Sequence, residues 1–260
     1  MSRWAAGVEY LGSAYGGWQA QAHVKSVQAE VEFALSRIAD HPLRVTCAGR
    51  TDAGVHASQQ VVHFESEAAR TSHAWILGCN SVLPPDVSLR WVQTVAENFD
   101  ARRSATARHY RYVIHNHRAR SALLMQRAAW WPQTLDAEVM HRAAQALLGE
   151  NDFSAFRSAQ CQSHTPMRFM RSITLFRRDD FVVMDVCANA FLHHMVRNII
   201  GALSEVGLGR QPESWIAQLL AGRDRTRAGV NAPPEGLCFI GPEYPAHYGL
   251  PPPPRPWFPA

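Results

Sequence analysis

Hydrophobic positions along the chain switch repeatedly between the two-residue period of strands and the period of about 3.6 residues that is typical of amphipathic helices. Strands are predicted at "WAAGVEYLG", "LRVTCA", "QQVVHFES", "SLRWVQTV", "ARHYRYVIHNH", "MRSITLFRR" and "FVVMDVCA". Helices are predicted at Ser26 to Ala39, Ser72 to Leu83, Asp136 to Leu148, Phe191 to Val206 and Pro212 to Leu220. Each half of the chain therefore combines strands with helices, which favours two α+β units.

The order of these elements also predicts how the chain divides. We expect an N-terminal unit over residues 1–104, a C-terminal unit over 105–250 and a proline-rich tail over 251–260. Asp179 and Asp180 separate two predicted strands and indicate a hairpin turn. The tail, "PPPPRPWFPA", is expected to be extended and to have no core of its own.

Composition excludes several classes of protein. The chain has 260 residues, of which 47% are hydrophobic and 18% charged, and it contains no apolar run long enough for a membrane span. Its start, "MSRWAAGVEY", lacks the basic and apolar regions of a secretory signal, so a cytosolic location is expected. The five cysteines are widely separated, which favours reduced thiols over a disulfide framework or a zinc site.

Positive charge is concentrated in one part of the chain. Lys25 is the single lysine among 26 cationic side chains, and arginine suits phosphate oxygens and stacks on bases. Between Ala101 and Leu135 there is no acidic residue, although seven arginines fall there. They are Arg102, Arg103, Arg108, Arg111, Arg118, Arg120 and Arg127. The region is a candidate phosphate-binding stripe, with a solvated basic edge strand and loop as the alternative.

One charged stretch lies on the connection between two predicted strands. In "CAGRTDAGVHA", Arg50 and Asp52 stand between Gly49 and Gly54. The glycine spacing is that of a phosphate-binding loop, but Val and His follow where such a loop requires Lys and Ser or Thr. What remains is an aspartate on a tight loop beside an arginine. Its alternative role is to cap a turn by hydrogen bonding to its own backbone.

A second charged residue interrupts an apolar helix. The segment "NAFLHHMVRNIIGALSEVG" is apolar nearly all round, yet Arg197 is placed in its middle, on the stripe shared with His194 and Gly201. An unpaired buried guanidinium would be costly, so we hypothesise an ion pair between Arg197 and Asp52. The alternative is that Arg197 points into a groove for RNA and binds phosphate.

The third feature is "ATARHYRY", on a predicted strand. Tyr110 and Tyr112 lie two residues apart and therefore share a face, while Arg111 projects to the other. A tyrosine beside arginines can stack on a base and hold its phosphate. Both tyrosines could equally be core residues of the strand.

Together these motifs resemble the tRNA pseudouridine synthase A family, whose members act on the anticodon stem-loop of tRNA. The resemblance covers most of the chain, from "VEYLGSAYGGWQ" and "CAGRTDAGVHA" through "SATARHYRY" and "LLGENDFSAF" to "FLHHMVRNIIGAL" and the late "EGL". It implies that Asp52 is the catalytic aspartate, that Tyr110 stacks on the target uracil and that Arg197 pairs with Asp52. It also implies that Arg50 displaces the target nucleotide from the stem and that Leu237 lines the uracil pocket.

The resemblance implies a fold and a reaction as well. The fold would be two α+β halves with mainly antiparallel sheets joined around a central basic cleft. The protein would isomerise uridine to pseudouridine at positions 38–40 of tRNA by flipping the base, as a homodimer, without metal or organic cofactor. Two departures, Leu11 where the family usually has Asp and Ala20 where a basic residue is common, bear on RNA contacts in the first loop.

Two other functions fit parts of the sequence. A non-catalytic RNA-binding module would share the arginine-rich region and the aromatic strand. A metal-dependent nuclease could use Asp52 with histidines. Pseudouridine formation that survives replacement of Asp52 by Asn or Ala would argue against catalysis by Asp52. Shortened RNA whose formation stops with a chelator would favour the nuclease.

Overall fold

Within residues 1–256, which are those described in this computed structural model, the chain forms ten strands and five α-helices. The strands are β1 (Ser2–Tyr10), β2 (Thr46–Cys47), β3 (His56–Ser66), β4 (Val87–Thr94), β5 (Ala107–His115), β6 (Ala129–Trp130), β7 (Gly149–Asp152), β8 (Met167–Arg178), β9 (Phe181–Ala188) and β10 (Leu237–Glu243). The helices are α1 (Val27–Ala39), α2 (Ser72–Val82), α3 (Ala137–Ala144), α4 (Met195–Gly207) and α5 (Trp215–Gly222). Residues 257–260, the end of the predicted tail, lie outside the described residues.

Unit 1 consists of Met1–Thr106 together with Cys238–Arg255. Its sheet has the order β4-β1-β3-β10, in which β1 is antiparallel to both neighbours and β10 runs parallel to β3. Helix α1 begins where the Ser26 side chain accepts a hydrogen bond from the Ala29 N–H, as its predicted N-cap role requires. Helix α2 buries Trp75, whose ring packs edge-on against Trp4 and Phe64.

Unit 2 consists mainly of Ala107–Leu237. Its sheet has the order β5-β9-β8-β7, all antiparallel, and the short β6 pairs in parallel with β5. Helix α3 starts at Asp136, whose carboxylate accepts hydrogen bonds from two backbone N–H groups of the first turn, and it lies against α4 and β8. The predicted hairpin turn is confirmed at Asp179 and Asp180, which join β8 to β9.

The structure confirms a mixed α+β fold with mainly antiparallel sheets. The predicted division at 104/105 and 250/251 remains a prediction about domains, and the two units differ from it mainly at Cys238–Arg255. That segment groups with unit 1 because Cys238 and Phe239 pair with β3. Among the described residues, no helix combines the length and the apolar character that crossing a membrane would require.

The predicted helix over Phe191 to Val206 was wrong at its start. His194 has a left-handed backbone with φ of 61°, so regular helix begins only at Met195. Arg197 consequently lies in the first turn of α4 and not in the middle of a helix. Its backbone N–H is therefore one of those that the helix itself does not pair.

Candidate active site

Asp52 lies on a tight turn between β2 and β3. The Val55 N–H donates to the Asp52 carbonyl over 3.1 Å, and Gly54, the third residue of the turn, has φ of 80°. A positive φ at this position is the requirement of a type II turn, which explains Gly54. Gly49 has no such backbone and a Cβ there would meet nothing within 4 Å. Of the two flanking glycines, the turn therefore requires only Gly54.

The glycine-containing segment that follows β1 lies directly against this turn. A Cβ on Gly12 would lie 1.9 Å from the Val55 carbonyl oxygen, and one on Gly17 would lie 2.7 Å from that of Thr51. The same segment pairs with the turn through Trp18, whose N–H donates to the Thr51 carbonyl over 3.0 Å. Glycine is needed here because the two backbones approach too closely for a side chain.

Buried polar side chains of the neighbouring strands hold the Asp52 turn in place. Gln60 has no exposed surface; its amide oxygen accepts from the Gly49 N–H over 3.3 Å, and its amide nitrogen donates to the Gly49 carbonyl. On the other side of Arg50, the Tyr10 hydroxyl and the Thr51 hydroxyl hydrogen bond over 2.7 Å. The backbone is thus held immediately before Arg50 and immediately before Asp52. Arg50 itself is exposed and Asp52 is half-buried.

Tyr110 and Tyr112 lie on β5 in unit 2, and their surroundings differ. The Tyr110 ring packs edge-on against Phe191, with ring centroids 5.1 Å apart. Tyr112 is fully buried and its hydroxyl donates to the Pro233 carbonyl over 2.7 Å. Burial, with the nearby Glu235 carboxylate, raises the pKa of Tyr112 well above its ordinary value. Tyr112 is therefore a neutral core residue of the strand. This is the alternative interpretation that the sequence left open for both tyrosines.

Arg197 is half-buried and is bonded to the segment that leads into β10. Its Nε donates to the Ala232 carbonyl over 2.8 Å, and the Ala232 N–H donates to the Arg197 carbonyl over 3.2 Å. One turn further along α4, a Cβ on Gly201 would lie 2.0 Å from the Val230 carbonyl oxygen. The segment therefore lies tightly on the start of α4 and fixes the direction of the Arg197 side chain.

Leu237 is buried at the start of β10, with 4% of its surface exposed. It follows Gly236, where a Cβ would lie 2.7 Å from the Tyr112 ring. The same short segment that holds Arg197 thus ends beside the tyrosine strand. Within unit 2, this segment connects Arg197, Tyr112 and Leu237 into one neighbourhood.

The candidate phosphate stripe is not one surface. Arg111 is 9% exposed and forms two 2.7 Å hydrogen bonds to the Asp185 carboxylate, so its assignment to the stripe was wrong. The cause is the pairing of β5 with β9, which places the two residues directly opposite each other. Arg108 is partly engaged, since its guanidinium donates to the Asn189 carbonyl over 2.8 Å. The exposed residues of the stripe are Arg102, Arg103, Arg118, Arg120 and Arg127.

Two departures from the family pattern lie near the first loop. The Leu11 N–H donates to the Asp86 carbonyl over 2.9 Å, and the Ala20 N–H donates to the Gln28 side chain over 3.0 Å. Both contacts use the backbone N–H, so any residue other than proline can make them at either position.

Sequence reasoning missed the residues that hold the Asp52 turn. The signals were present: Gln60 is a polar residue in an apolar strand, and Gly12 and Gly17 follow a strand end. Polar residues in a strand interior need buried partners, and glycines after a strand permit close approach of another backbone. The partners themselves could not be named, because Gly49 is eleven residues from Gln60 and Val55 is still farther from Gly12 in the chain.

Comparison with known proteins covers both units. Residues 6–104 and 143–245 match the family described as tRNA pseudouridine synthase. The chain is 58% identical over 247 residues to tRNA pseudouridine synthase A of Klebsiella pneumoniae, which covers 95% of this chain and 92% of that protein. It is 57% identical over 250 residues to the protein of the same name from Escherichia coli, covering 96% and 93% of the two chains.

A solved structure titled "Crystal structure of the archaeal box H/ACA sRNP Nop10-Cbf5 complex" aligns with 90% of this chain and 46% of that one, at 14% identity and a TM-score of 0.35. The family match includes the Asp52 turn, the Arg197 helix and the strand that begins at Leu237. The chain therefore belongs to the tRNA pseudouridine synthase family.

Proposed function

We propose that this protein isomerises uridine to pseudouridine in tRNA, at positions 38–40 of the anticodon stem-loop. The observation that carries the proposal is the identity of 57–58% over about 95% of the chain to relatives named tRNA pseudouridine synthase A. Conservation of both units to this extent favours the same reaction on the same class of RNA. The non-catalytic alternative has no comparable support.

Asp52 is proposed as the catalytic carboxylate. The reaction breaks the bond between the uracil ring nitrogen and the ribose and re-forms it from carbon 5, which loses its proton while the nitrogen gains one. One carboxylate serves each main route, whether it attacks the ribose, attacks the uracil ring or removes a ribose proton. The fixed backbone on both sides of Arg50 supports this role, because catalysis depends on a carboxylate held in one direction.

The remaining site residues are proposed to handle the target nucleotide. A base paired in a helix cannot be reached, so it must be flipped out and held while the detached uracil rotates. Tyr110 would stack on the uracil and Leu237 would line its pocket, which fits an aromatic ring braced by Phe191 and a buried leucine beside the tyrosine strand. Arg50 would displace the nucleotide from the stem, which fits its exposure.

Arg197 is proposed to form an ion pair with Asp52. The Nε hydrogen bond to Ala232 fixes one edge of the guanidinium, and a planar group held in this way can present its other nitrogens to a carboxylate. The pair would keep Asp52 ionised and oriented. We also propose that the protein is a homodimer, as the family resemblance implies, and that it is cytoplasmic. The mass of the purified protein in solution would check the homodimer.

The test of the proposed function is an Asp52→Asn variant assayed on unmodified tRNA transcripts. We expect pseudouridine formation to disappear while tRNA binding persists, because the substitution removes the ionised carboxylate and preserves the shape of the side chain. Asp40→Asn is the matched control: it makes the same change in unit 1 at an exposed left-handed position that asparagine tolerates. It should leave activity unchanged.

Each rival function has its own outcome in this assay. Wild-type protein that binds tRNA but makes no pseudouridine would favour the RNA-binding module. Shortened RNA whose formation stops with a chelator would favour the nuclease. Undiminished pseudouridine formation by Asp52→Asn would show that Asp52 is not the catalytic residue.

A further inference from the structure

The connection between β5 and β6 carries an unusual set of exposed side chains. Residues 117–127, here called the basic loop, include Arg118, Arg120 and Arg127, all of them exposed. Within residues 1–256, none of these three guanidinium groups forms an ion pair. Three other exposed arginines of unit 2 do pair with carboxylates: Arg142 with Glu213, Arg210 with Glu205 and Arg223 with Asp152.

The basic loop has a defined conformation at its base. The Trp130 ring N–H donates to the His117 carbonyl over 2.8 Å, and the Ala119 N–H donates to the His117 ring over 3.1 Å. At its far end, the Arg127 N–H donates to the Leu124 carbonyl over 3.0 Å. The three arginines are therefore displayed from a fixed backbone, which lowers the entropy cost of binding an anion.

The position of the basic loop separates it from the base-stacking residue. Tyr110 is in the interior of β5, and the loop begins beyond the end of that strand at His115. A strand rises about 3.4 Å per residue, so the loop starts on the order of 20 Å from Tyr110. Phosphates bound there belong to nucleotides well away from the flipped uridine.

The charge of the surrounding sequence points to one class of partner. No Asp or Glu occurs between Ala101 and Leu135, so an acidic ligand meets no repulsion from this part of the chain. Leu123 and Met125 are 89% and 65% exposed in the same loop, and exposed apolar side chains are also typical of a contact with a second protein copy. Three cations without carboxylate partners favour the polyanion, because two copies of this loop would repel each other.

We propose that the basic loop binds the phosphate backbone of tRNA away from the target uridine, through Arg118, Arg120 and Arg127. The inference rests on the proposed tRNA substrate and adds a contact surface outside the residues assigned to the reaction. Contacts of this kind position the RNA without taking part in chemistry. They act on binding, and therefore on KM, and leave turnover at saturating RNA unchanged.

The experiment measures tRNA affinity of the full-length protein between about 50 and 200 mM salt, where each phosphate contact contributes about 0.9 to the slope of log affinity against log salt concentration. A triple variant, Arg118→Gln, Arg120→Gln and Arg127→Gln, should reduce this slope by about 2 to 3. The matched control, Arg142→Gln, Arg210→Gln and Arg223→Gln, removes the same charge from the same unit and should leave the slope near that of wild type.

A third variant with lysine at the three loop positions should keep most of the slope, because lysine retains the point charge. A glutamine triple variant with the wild-type slope would overturn the proposal. So would an altered oligomeric mass of the glutamine variant with an unaltered slope, which would assign the loop to a second copy. Failure of the proposed function is distinguishable, since it appears as absent pseudouridine with wild-type protein whatever the slope.

Discussion

The Asp52 turn in unit 1 and the Tyr110 strand in unit 2 hold their side chains by different means. Around Asp52 the backbone is outside regular structure, and its position depends on a few individual contacts such as the Gln60 amide and the close approach of Gly12. Tyr110 is in the interior of β5, directly opposite Val186 in a ladder of eight aligned pairs with β9. The position of Tyr110 is therefore fixed by many backbone hydrogen bonds of the ladder.

The difference has a consequence for how each part responds to mutation. A side chain on a turn can shift when one anchor is lost, because only a few individual contacts fix that stretch of backbone. A side chain in a β-ladder stays in place when one neighbouring contact is lost, because the other hydrogen bonds of the ladder remain. The lost contact instead lowers the stability of the whole unit. Single substitutions near Asp52 should consequently affect activity more than stability, and those near Tyr110 should do the reverse.

The largest effect is expected for Arg197→Met, because Arg197 is the residue proposed to form an ion pair with the catalytic carboxylate. The variant keeps the apolar stem but loses the hydrogen bond to Ala232 and the proposed partner of Asp52. We expect a loss of activity of about 100-fold or more, which is about 3 kcal/mol in activation free energy, because Asp52 loses the group proposed to keep it ionised and oriented. Initial rates of pseudouridine formation measure it.

Arg225→Met is the matched control for Arg197→Met. Arg225 also lies in unit 2 and hydrogen bonds to Asn198 and to the Gly229 carbonyl, yet it has no assigned role in the reaction. Its loss should lower the thermal midpoint without a comparable loss of activity. Near-normal turnover of Arg197→Met would refute the proposed pair with Asp52.

A smaller effect is expected for Gly12→Ala, which tests the turn directly. The new Cβ would lie 1.9 Å from the Val55 carbonyl oxygen, so one of the two backbones must move. A displacement of about 1 Å near the reacting group can cost up to about 100-fold in rate. Gly49→Ala is the control, since its Cβ meets nothing within 4 Å. Equal activity of the two variants would mean that the turn is not held by this contact.

The same contrast shows what the sequence could predict. The Ser26 cap of α1 and the turn at Asp179 and Asp180 were predicted correctly, because caps and turns depend on residues adjacent in the chain. Asp52 could be singled out for the same reason. Its role in catalysis and the roles of the other site residues remain predictions, because they concern a reaction and a bound nucleotide rather than the fold.

What the sequence could not predict depends on partners distant in the chain. The start of α4 is set by the left-handed backbone of His194, whose ring lies 3.1 Å from the Asn231 side-chain amide. The pairing of β10 with β3 joins segments about 180 residues apart, and loop closure on that scale leaves no local pattern. Arg111 was assigned to the phosphate stripe because the register that places Asp185 opposite it was unknown.

The smallest effects come from removing the hydrogen bonds of one buried side chain in each unit. Tyr112→Phe loses the bond to the Pro233 carbonyl, and Gln60→Leu loses both bonds to Gly49. Each leaves backbone groups of a half-buried residue without these partners, at a cost of about 1 kcal/mol or more in the free energy of unfolding. If the comparison holds, Gln60→Leu lowers turnover several-fold, because Arg50 and Asp52 lose an anchor, whereas Tyr112→Phe changes the free energy of unfolding and leaves turnover close to that of wild type. Denaturant unfolding and initial rates on the same preparations measure both quantities. A Tyr112→Phe variant with the larger loss of turnover would contradict the distinction between the turn and the strand.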